Sequence, residues 1–328
     1  MTYHEIVVLG GARTPFGKFG GSFKEVSATD LGVAAAKGAL EATGVQPDQV
    51  QHVVFGNVIQ SSRDAAYLAR HVALYAGMPI SVPGLTLNRL CGSGFEAIID
   101  AARMIIAGEA EVVLAGGTEN MSMAPLVTRT ARWGAGLGEG LNLEDSLWQG
   151  LTDSYCNMPM AITAENVAQQ YGIGREEQDA LALASQQRAV AGWKEGRLAE
   201  EVVAVQGKDN RGKPALVTRE QHIRPETTAE GLAKLPARFI PKGGTVTAGN
   251  ASGIVDGAAA LIITTAKKAQ AMGWKPLARL VSWGVAGVNP EIMGIGPAPA
   301  NRIALERAGL KAQDIGLLVI FTGDGTLN

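Results

Sequence analysis

A helix–turn–strand unit occurs twice, near opposite ends of the chain. Ala39-Leu40-Glu41-Ala42-Thr43-Gly44-Val45 aligns with Ala304-Leu305-Glu306-Arg307-Ala308-Gly309-Leu310. Continuing without gaps, Val50 meets Ile315, Val53 meets Leu318 and Val54 meets Val319. Shared helix residues, a glycine at each C-cap and apolar residues in strand register point to a duplication. A duplicated chain is confined to folds built from two similar halves. The first copy runs on through Cys91 to Gly117, whereas the second reaches Asn328 soon after the counterpart of Val54. By internal symmetry the second half is expected to be incomplete.

Strand-like and helical runs alternate up to Gly117. Residues 6–9 read as a buried strand ended by Gly10 and Gly11, and Thr29 and Asp30 offer an N-cap to a helix reaching about residue 42. A strand over 53–55, a helix over 65–76 and a strand end at Thr86 and Leu87 follow. Residues 94–107 have helical period, with Ile98, Ile99, Ala102, Ile105 and Ile106 on the apolar side. A further strand over 112–115 is ended by Gly116 and Gly117. The rhythm predicts an α/β layer fold. It lapses after Gly117, where helices are expected near Ala161 and Arg175, and returns as a strand over 258–264. The expected organisation is residues 1–120 plus 250–272 as one half, 121–249 as an inserted loop domain, and 273–328 as the incomplete second half.

Composition narrows the function classes. Of 328 residues, 46% are hydrophobic and 18% charged, and the formal net charge is −2. Charge below the usual share of about 25% suggests surface buried inside or against other subunits. A near-neutral balance gives no reason to expect nucleic acid or an anionic membrane as partner. The two cysteines, Cys91 and Cys156, form neither a disulfide framework nor a metal or redox pattern. No metal site is expected. No apolar run approaches the roughly 18 residues of a membrane span, and residues 1–11 read as a first strand and not as a signal peptide. The cytoplasm is the resulting expectation.

Cys91 is the residue with the clearest chemistry. It lies in Asn88-Arg89-Leu90-Cys91-Gly92-Ser93-Gly94, just ahead of the long helix. A thiol at a strand-to-helix turn is close to the positive end of the helix dipole, which favours the thiolate. Gly92 and Gly94 leave room for a substrate, and their N–H groups suit an oxyanion. A buried structural cysteine is the competing reading. Ser93 lacks G-x-S-x-G surroundings. The glycines of Gly10-Gly11-Ala12-Arg13-Thr14-Pro15-Phe16-Gly17 miss the dinucleotide-loop spacing, and Pro15 stands where a helix should begin. The small-residue run 247–253 reads on composition alone as a tight turn. His4, His52, His71 and His222 read as surface or structural residues, so no base for Cys91 is evident.

Four segments together resemble thiolase signatures: the Cys91 segment, Ala115-Gly116-Gly117-Thr118-Glu119-Asn120-Met121-Ser122, the run 244–253, and Met293-Gly294-Ile295-Gly296-Pro297. The likeness spans about residues 1–315, and within the family it points to acetyl-CoA acetyltransferases and 3-ketoacyl-CoA thiolases. It implies two similar α/β halves stacked as helix–sheet–helix–sheet–helix layers, with a loop domain inserted in the first. It implies that Cys91 carries the acyl group as a thioester. It also implies coenzyme A or acyl-CoA as substrate with no permanently bound cofactor. Arg224 and Thr227 would lie near the nucleotide, Ala248 and Ser252 along the pantetheine arm, and Leu151, Met160 and Phe239 along the tunnel. A planar arginine cation suits a phosphorylated adenosine. A homo-oligomer is implied as well. Pro159 stands where many thiolases carry a loop-domain histidine, which resembles the fatty-acid-degrading members.

The resemblance breaks after Asp314 and Ile315. Thiolases continue with an Asn-Glu-Ala-Phe stretch, a Gly-His-Pro histidine and a second cysteine in Cys-x-Gly. Here Phe321 stands in place of the asparagine, and Thr322-Gly323-Asp324-Gly325-Thr326-Leu327-Asn328 matches none of these. Loss of an activating base typically costs on the order of 10²–10⁴ in rate, so impaired turnover is expected. The alternative is a non-catalytic CoA-binding or interaction protein. A ketoacyl-synthase reaction would need two histidines in the same missing region, and a dehydrogenase lacks its dinucleotide loop.

Overall fold

Strands from both ends of the described chain meet in one mixed sheet. The computed structural model describes residues 5–317. His4, the expected strand positions Leu318 and Val319, and the divergent tail lie outside the described residues. The sheet contains β1 (Ile6–Arg13), β2 (Gly17–Lys18), β3 (His52–Gly56), β4 (Gly84–Leu87), β5 (Val112–Asn120), β12 (Val255–Thr265) and β13 (Ala278–Arg279). Its order is β13-β1-β12-β5-β3-β4, with β2 also paired to β12. β3 is parallel to both β4 and β5, whereas β12 is antiparallel to β1 and β5. Between β5 and β12 lie three small antiparallel ladders. They pair β6 (Leu126–Val127) with β7 (Glu144–Asp145), β8 (Thr152–Asp153) with β9 (Met158–Pro159), and β10 (Val205–Lys208) with β11 (Pro214–Val217).

Helices cover both faces of the sheet. α1 (Ala28–Thr43) and α2 (Leu68–Tyr75) pack on one side, α3 (Ser93–Ala107) on the other. The first side buries Phe23, Leu31, Phe55, Leu68 and Ile262 completely. The second gathers Val54, Ala97, Ala101, Ala102, Ile105, Val113 and Ile263. Full burial of each large apolar side chain contributes about 1.5–3 kcal/mol. The inserted region carries α4 (Ser146–Gly150), α5 (Met160–Tyr171), α6 (Arg175–Lys194) and α7 (Ala229–Ala233), and α8 (Ala266–Met272) and α9 (Pro297–Ala308) follow β12. α9 rests on residues 282–284 through Ser282 Oγ, which donates to Ala304 O at 2.7 Å. It has no fully buried residue among those described.

Several boundaries differ from the sequence expectation. Ser27, not Thr29 or Asp30, caps α1, its Oγ accepting from Asp30 N at 3.0 Å. The expected 65–76 helix divides into a 3₁₀ turn over Ala65–Tyr67 and α2 proper. On α3, Ala97 and Ala101 are buried while Ile106 is 48% exposed. The glycine pairs do not end their strands, because β1 continues to Arg13 and β5 to Asn120. They admit close backbone instead. A Cβ on Gly11 would lie 2.4 Å from Ala260 O, and one on Gly116 would lie 2.4 Å from Ala259 O.

Phe55, on β3 beside the edge strand β4, is completely buried, and a Cβ on either Gly32 or Gly116 would meet its ring. Phe55→Ala leaves a void between α1 and the sheet, and is expected to cost about 3–5 kcal/mol. Urea denaturation monitored by circular dichroism measures this.

Candidate active site

The turn carrying Cys91 joins the end of β4 to the start of α3 and is tied by its own side chains. Asn88 Oδ1 accepts from Leu90 N at 2.8 Å. Ser93 Oγ accepts from Arg89 N at 2.8 Å and donates to Leu90 O at 2.6 Å. Leu90 takes φ 49°, a left-handed conformation that costs a non-glycine residue about 1–3 kcal/mol. Arg89 closes the turn onto α3 through Glu96, Nε to Oε2 at 2.8 Å. Cys91 is therefore displayed by a strained, over-determined turn, and it is exposed as a free thiol. Space above Gly94 is open, with no described atom within 4 Å of where its Cβ would be. Among the described residues Cys91 Sγ has no hydrogen-bond partner.

Two of the histidines are engaged elsewhere. His71 lies 3.3 Å from Asp64 and stacks on Tyr67 at 5.5 Å. The His222 ring lies over Gly253, where a Cβ would come within 2.0 Å of its Nε2.

Beside this turn lies a carboxylate that sequence reasoning took only as part of a motif. Glu119, near the end of β5, accepts from Val58 N at 2.9 Å, Ile59 N at 3.2 Å and Asn57 Nδ2 at 3.0 Å. Burial pushes its pKa up to about 7, while the Val58 and Ile59 N–H groups and the Asn57 amide pull it down. The charge of Asp256 adds to the rise. Asp256 is itself raised by burial, and it accepts from Ser122 N at 3.0 Å. The available signal was an acid inside a run of small and apolar strand residues.

The sequence-predicted ligand residues form two further groups. Arg224 and Thr227 line a cleft of about 150 Å³ together with Gln186, Leu232, Leu235 and Gly249. Arg224 N donates to Gln186 Oε1 at 2.8 Å, and Thr227 Oγ1 donates to Arg224 O at 2.8 Å. Ala248 and Ser252 are exposed on the adjoining loop. That loop is held by buried Glu165 of α5, which accepts from Thr245 N at 2.9 Å and Val246 N at 2.8 Å. Asn250 completes the hold, its amide donating to Asp179 Oδ1 and Thr245 O, each at 2.9 Å. The run 247–253 does contain a turn, closed by Ala251 N donating to Thr247 O at 3.2 Å, and these contacts anchor it. Leu151 and Met160 meet where Met160 N donates to Leu151 O at 2.9 Å. Phe239, 40% exposed, follows Arg238, whose N donates to Val246 O at 3.0 Å.

A mixed sheet covered by helices on both faces, an insertion after β5 and a nucleophile-type cysteine turn define a thiolase-like acyltransferase fold. The model of the thiolase N-terminal domain matches residues 6–267, and that of the thiolase C-terminal domain matches residues 274–321. The chain is 50% identical over 315 residues to the mitochondrial 3-ketoacyl-CoA thiolase of Homo sapiens, covering 96% of this chain and 79% of that one. It is 46% identical over 314 residues to the beta-ketothiolase BktB of Cupriavidus necator, covering 96% and 79%. A crystal structure of the human mitochondrial enzyme matches at TM-score 0.92 with 48% identity, over 97% of this chain and 79% of that one. The crystal structure of that enzyme in complex with CoA matches at TM-score 0.91 with 49% identity, over 96% and 78%. The chain belongs to the thiolase family, and by family it is an acyltransferase of the 3-ketoacyl-CoA thiolase or acetyl-CoA acetyltransferase type.

The expectation of a cytoplasmic protein does not stand. Relatives from Homo sapiens, Pongo abelii and Mus musculus at 49–50% identity are mitochondrial enzymes. Lack of an apolar signal carries no information against that compartment, because mitochondrial targeting segments are amphipathic and Arg-rich.

Two predictions test the architecture around the site. Glu165→Ala leaves the Thr245 and Val246 N–H groups without their acceptor, and is expected to cost about 2–3 kcal/mol by urea denaturation. Glu119 has a higher pKa folded than unfolded, so folding takes up a proton between its ordinary value of 4.5 and about 7. Its contribution to stability therefore falls as pH rises through that window. Glu119→Gln is expected to flatten this part of the stability–pH curve, measured by denaturation from pH 5 to about 8.

Proposed function

We propose that Cys91 is the acyl-accepting nucleophile and that the enzyme exchanges acyl groups between this thiol and coenzyme A. The observation that carries the reading is the exposed thiol on the strained turn at the start of α3, with open space above Gly94. In the degradative direction the Cys91 thiolate attacks the 3-keto carbon of a 3-ketoacyl-CoA. The bond between carbons 2 and 3 breaks, and its electron pair leaves on carbon 2. That carbon takes a proton to give acetyl-CoA, and the thiol of a second CoA then releases the acyl group from Cys91. In the synthetic direction two acetyl-CoA molecules give acetoacetyl-CoA. N–H groups at the start of α3 suit the oxyanion of each tetrahedral intermediate.

The same reading gives roles to the remaining residues. The cleft with Arg224 and Thr227 takes the nucleotide end of CoA, and Ala248 and Ser252 border the pantetheine arm. Leu151, Met160 and Phe239 line the same tunnel as the pantetheine arm. Residues 1–120 plus 250–272 form one half, 121–249 the inserted loop domain and 273–328 part of the second half. A homo-oligomer belongs to the proposal. It is supported by the edge strand β4 and by Leu85, Tyr67 and Ile80 beside it, which are 38%, 61% and 83% exposed.

The carbanion needs a proton donor and the thiol a base. None of the four histidines lies in a Gly-His-Pro stretch, and neither Cys91 nor Cys156 lies in a Cys-x-Gly motif. A polypeptide of these 328 residues is proposed to form the acyl-enzyme while turning over slowly. The second reading is CoA binding without acyl transfer, favoured by a Cys91 Sγ that has no partner among the described residues.

Incubation with acetyl-CoA followed by mass spectrometry decides between them, with Cys91→Ala as control. An acetyl adduct on Cys91 is expected. CoA binding by folded protein without any adduct sinks the nucleophile assignment in favour of the second reading. Arg224→Ala is expected to weaken CoA roughly tenfold, about 1.4 kcal/mol, by isothermal titration calorimetry. Unchanged affinity would remove the nucleotide from that cleft.

A further inference from the structure

Residues 57–59 follow β3 and occupy the gap between two walls of the site. On one side is the nucleophile turn. Asn57 N donates to Leu87 O at 3.1 Å, at the last residue of β4 before that turn. The end of β3 also abuts the first turn of α3, since a Cβ on Gly56 would come within 2.6 Å of Ser93 Cβ. On the other side is the insertion. A Cβ on Gly150, at the end of α4, would lie 3.6 Å from Ile59 Cδ1, and Leu151 follows directly. The segment is therefore a spacer between the turn bearing Cys91 and the helix leading to Leu151 and Met160.

One side chain fixes this spacer. Glu119 takes the two successive N–H groups of Val58 and Ile59 and the amide of Asn57. Asn57 in turn donates to Thr118 O at 3.0 Å, so the spacer is bound to the end of β5 at both backbone and side chain. Without an acceptor there, two backbone N–H groups beside the site would lack their partner. A carboxylate with two oxygens is the acceptor-only group that serves three donors.

We infer that Glu119 is a positioning residue for acyl transfer, setting the separation between Cys91 and the α4 wall through the 57–59 spacer. The inference rests on Cys91 being the nucleophile. Glu119 touches neither the thiol nor the reacting carbons in this scheme. Its effect falls on substrates that must be held between the walls, and not on the intrinsic reactivity of an exposed thiol. Displacements of about 1 Å in such positioning cost up to about 10²-fold in rate.

The test compares two reactions of Cys91 in the same protein, resolved at peptide level by mass spectrometry. Acylation by acetyl-CoA needs the site, whereas alkylation by iodoacetamide needs only the thiol. Cys156 serves as the internal reference for alkylation. Glu119→Ala is expected to slow the maximal acylation rate roughly 10- to 100-fold, with the acetyl-CoA concentration dependence and iodoacetamide alkylation changed far less. Glu119→Gln keeps one carbonyl oxygen for Asn57 and Ile59, and is expected to recover part of the rate. Asn57→Ala keeps the carboxylate but loses the tie to Thr118, and is expected to slow acylation in the same direction. If Glu119→Ala is not obtained as folded protein, the Gln and Asn57→Ala variants carry the comparison. Unchanged acylation in the folded variants overturns the inference and leaves the nucleophile assignment intact. So does acylation slowed only in proportion to alkylation, which marks a merely structural role. Absence of any acetyl adduct on the unsubstituted protein overturns the nucleophile assignment and this inference with it.

Discussion

The pairing of β12 with its two neighbours is the constraint on which the rest of this molecule depends. β12 enters the sheet after a long excursion and lies between β1 and β5, antiparallel to each. Its register sets Asp256 opposite Asn120 and Ala260 opposite Gly116. The first and last residues of the excursion therefore lie side by side. That juxtaposition brings Asp256 near Glu119 and lets Asp256 hold Ser122 at the start of the insertion. The close approach is possible because Gly11 and Gly116 face the β12 carbonyls where side chains would collide. A sheet assembled from strands so distant in sequence carries a high loop-closure entropy, which its completely buried core offsets.

Around this frame the site divides its labour between strain and support. The Cys91 turn holds Leu90 in an unfavourable conformation and relies on Asn88, Ser93 and the Arg89–Glu96 pair to keep it there. Two loops near the site, one in the insertion and one after β3, are tied to buried or half-buried acids. Glu165 holds 245–246, Asp179 receives Asn250, and Glu119 holds 58–59. Acids with several backbone donors order a loop without adding apolar surface. Such acids thus hold two segments that are separate in sequence, 245–250 and 58–59.

Much of this was legible in the residues. Alternating strand and helix runs showed the α/β layers, and α5 and α6 begin within a residue of where periodicity placed them. The Cys91 turn was legible because a glycine-flanked cysteine before a periodic helix is a rare local pattern. The glycine pairs misled, because a glycine signals a strand end and a close strand crossing by the same composition, and only the partner strand distinguishes them. Ser27 was passed over because Thr29 and Asp30 are equally good capping residues by type. Glu119 was hidden for a different reason. Its partners are backbone N–H groups from 60 and 61 residues away, and backbone groups leave no trace in sequence. The run 247–253 was legible as a turn, but not its anchoring, since the acid that holds the preceding residues lies on α5.

The adjacency of Asn120 and Asp256 has a consequence for how such an enzyme diversifies. Because both ends of the insertion emerge at one rung of the sheet, everything between them can be lengthened, shortened or exchanged without moving a strand. The Cys91 turn belongs to the frame, whereas Leu151, Met160 and the cleft around Arg224 belong to the replaceable segment. That segment can therefore be remodelled as a cassette, at little cost to the turn that displays Cys91.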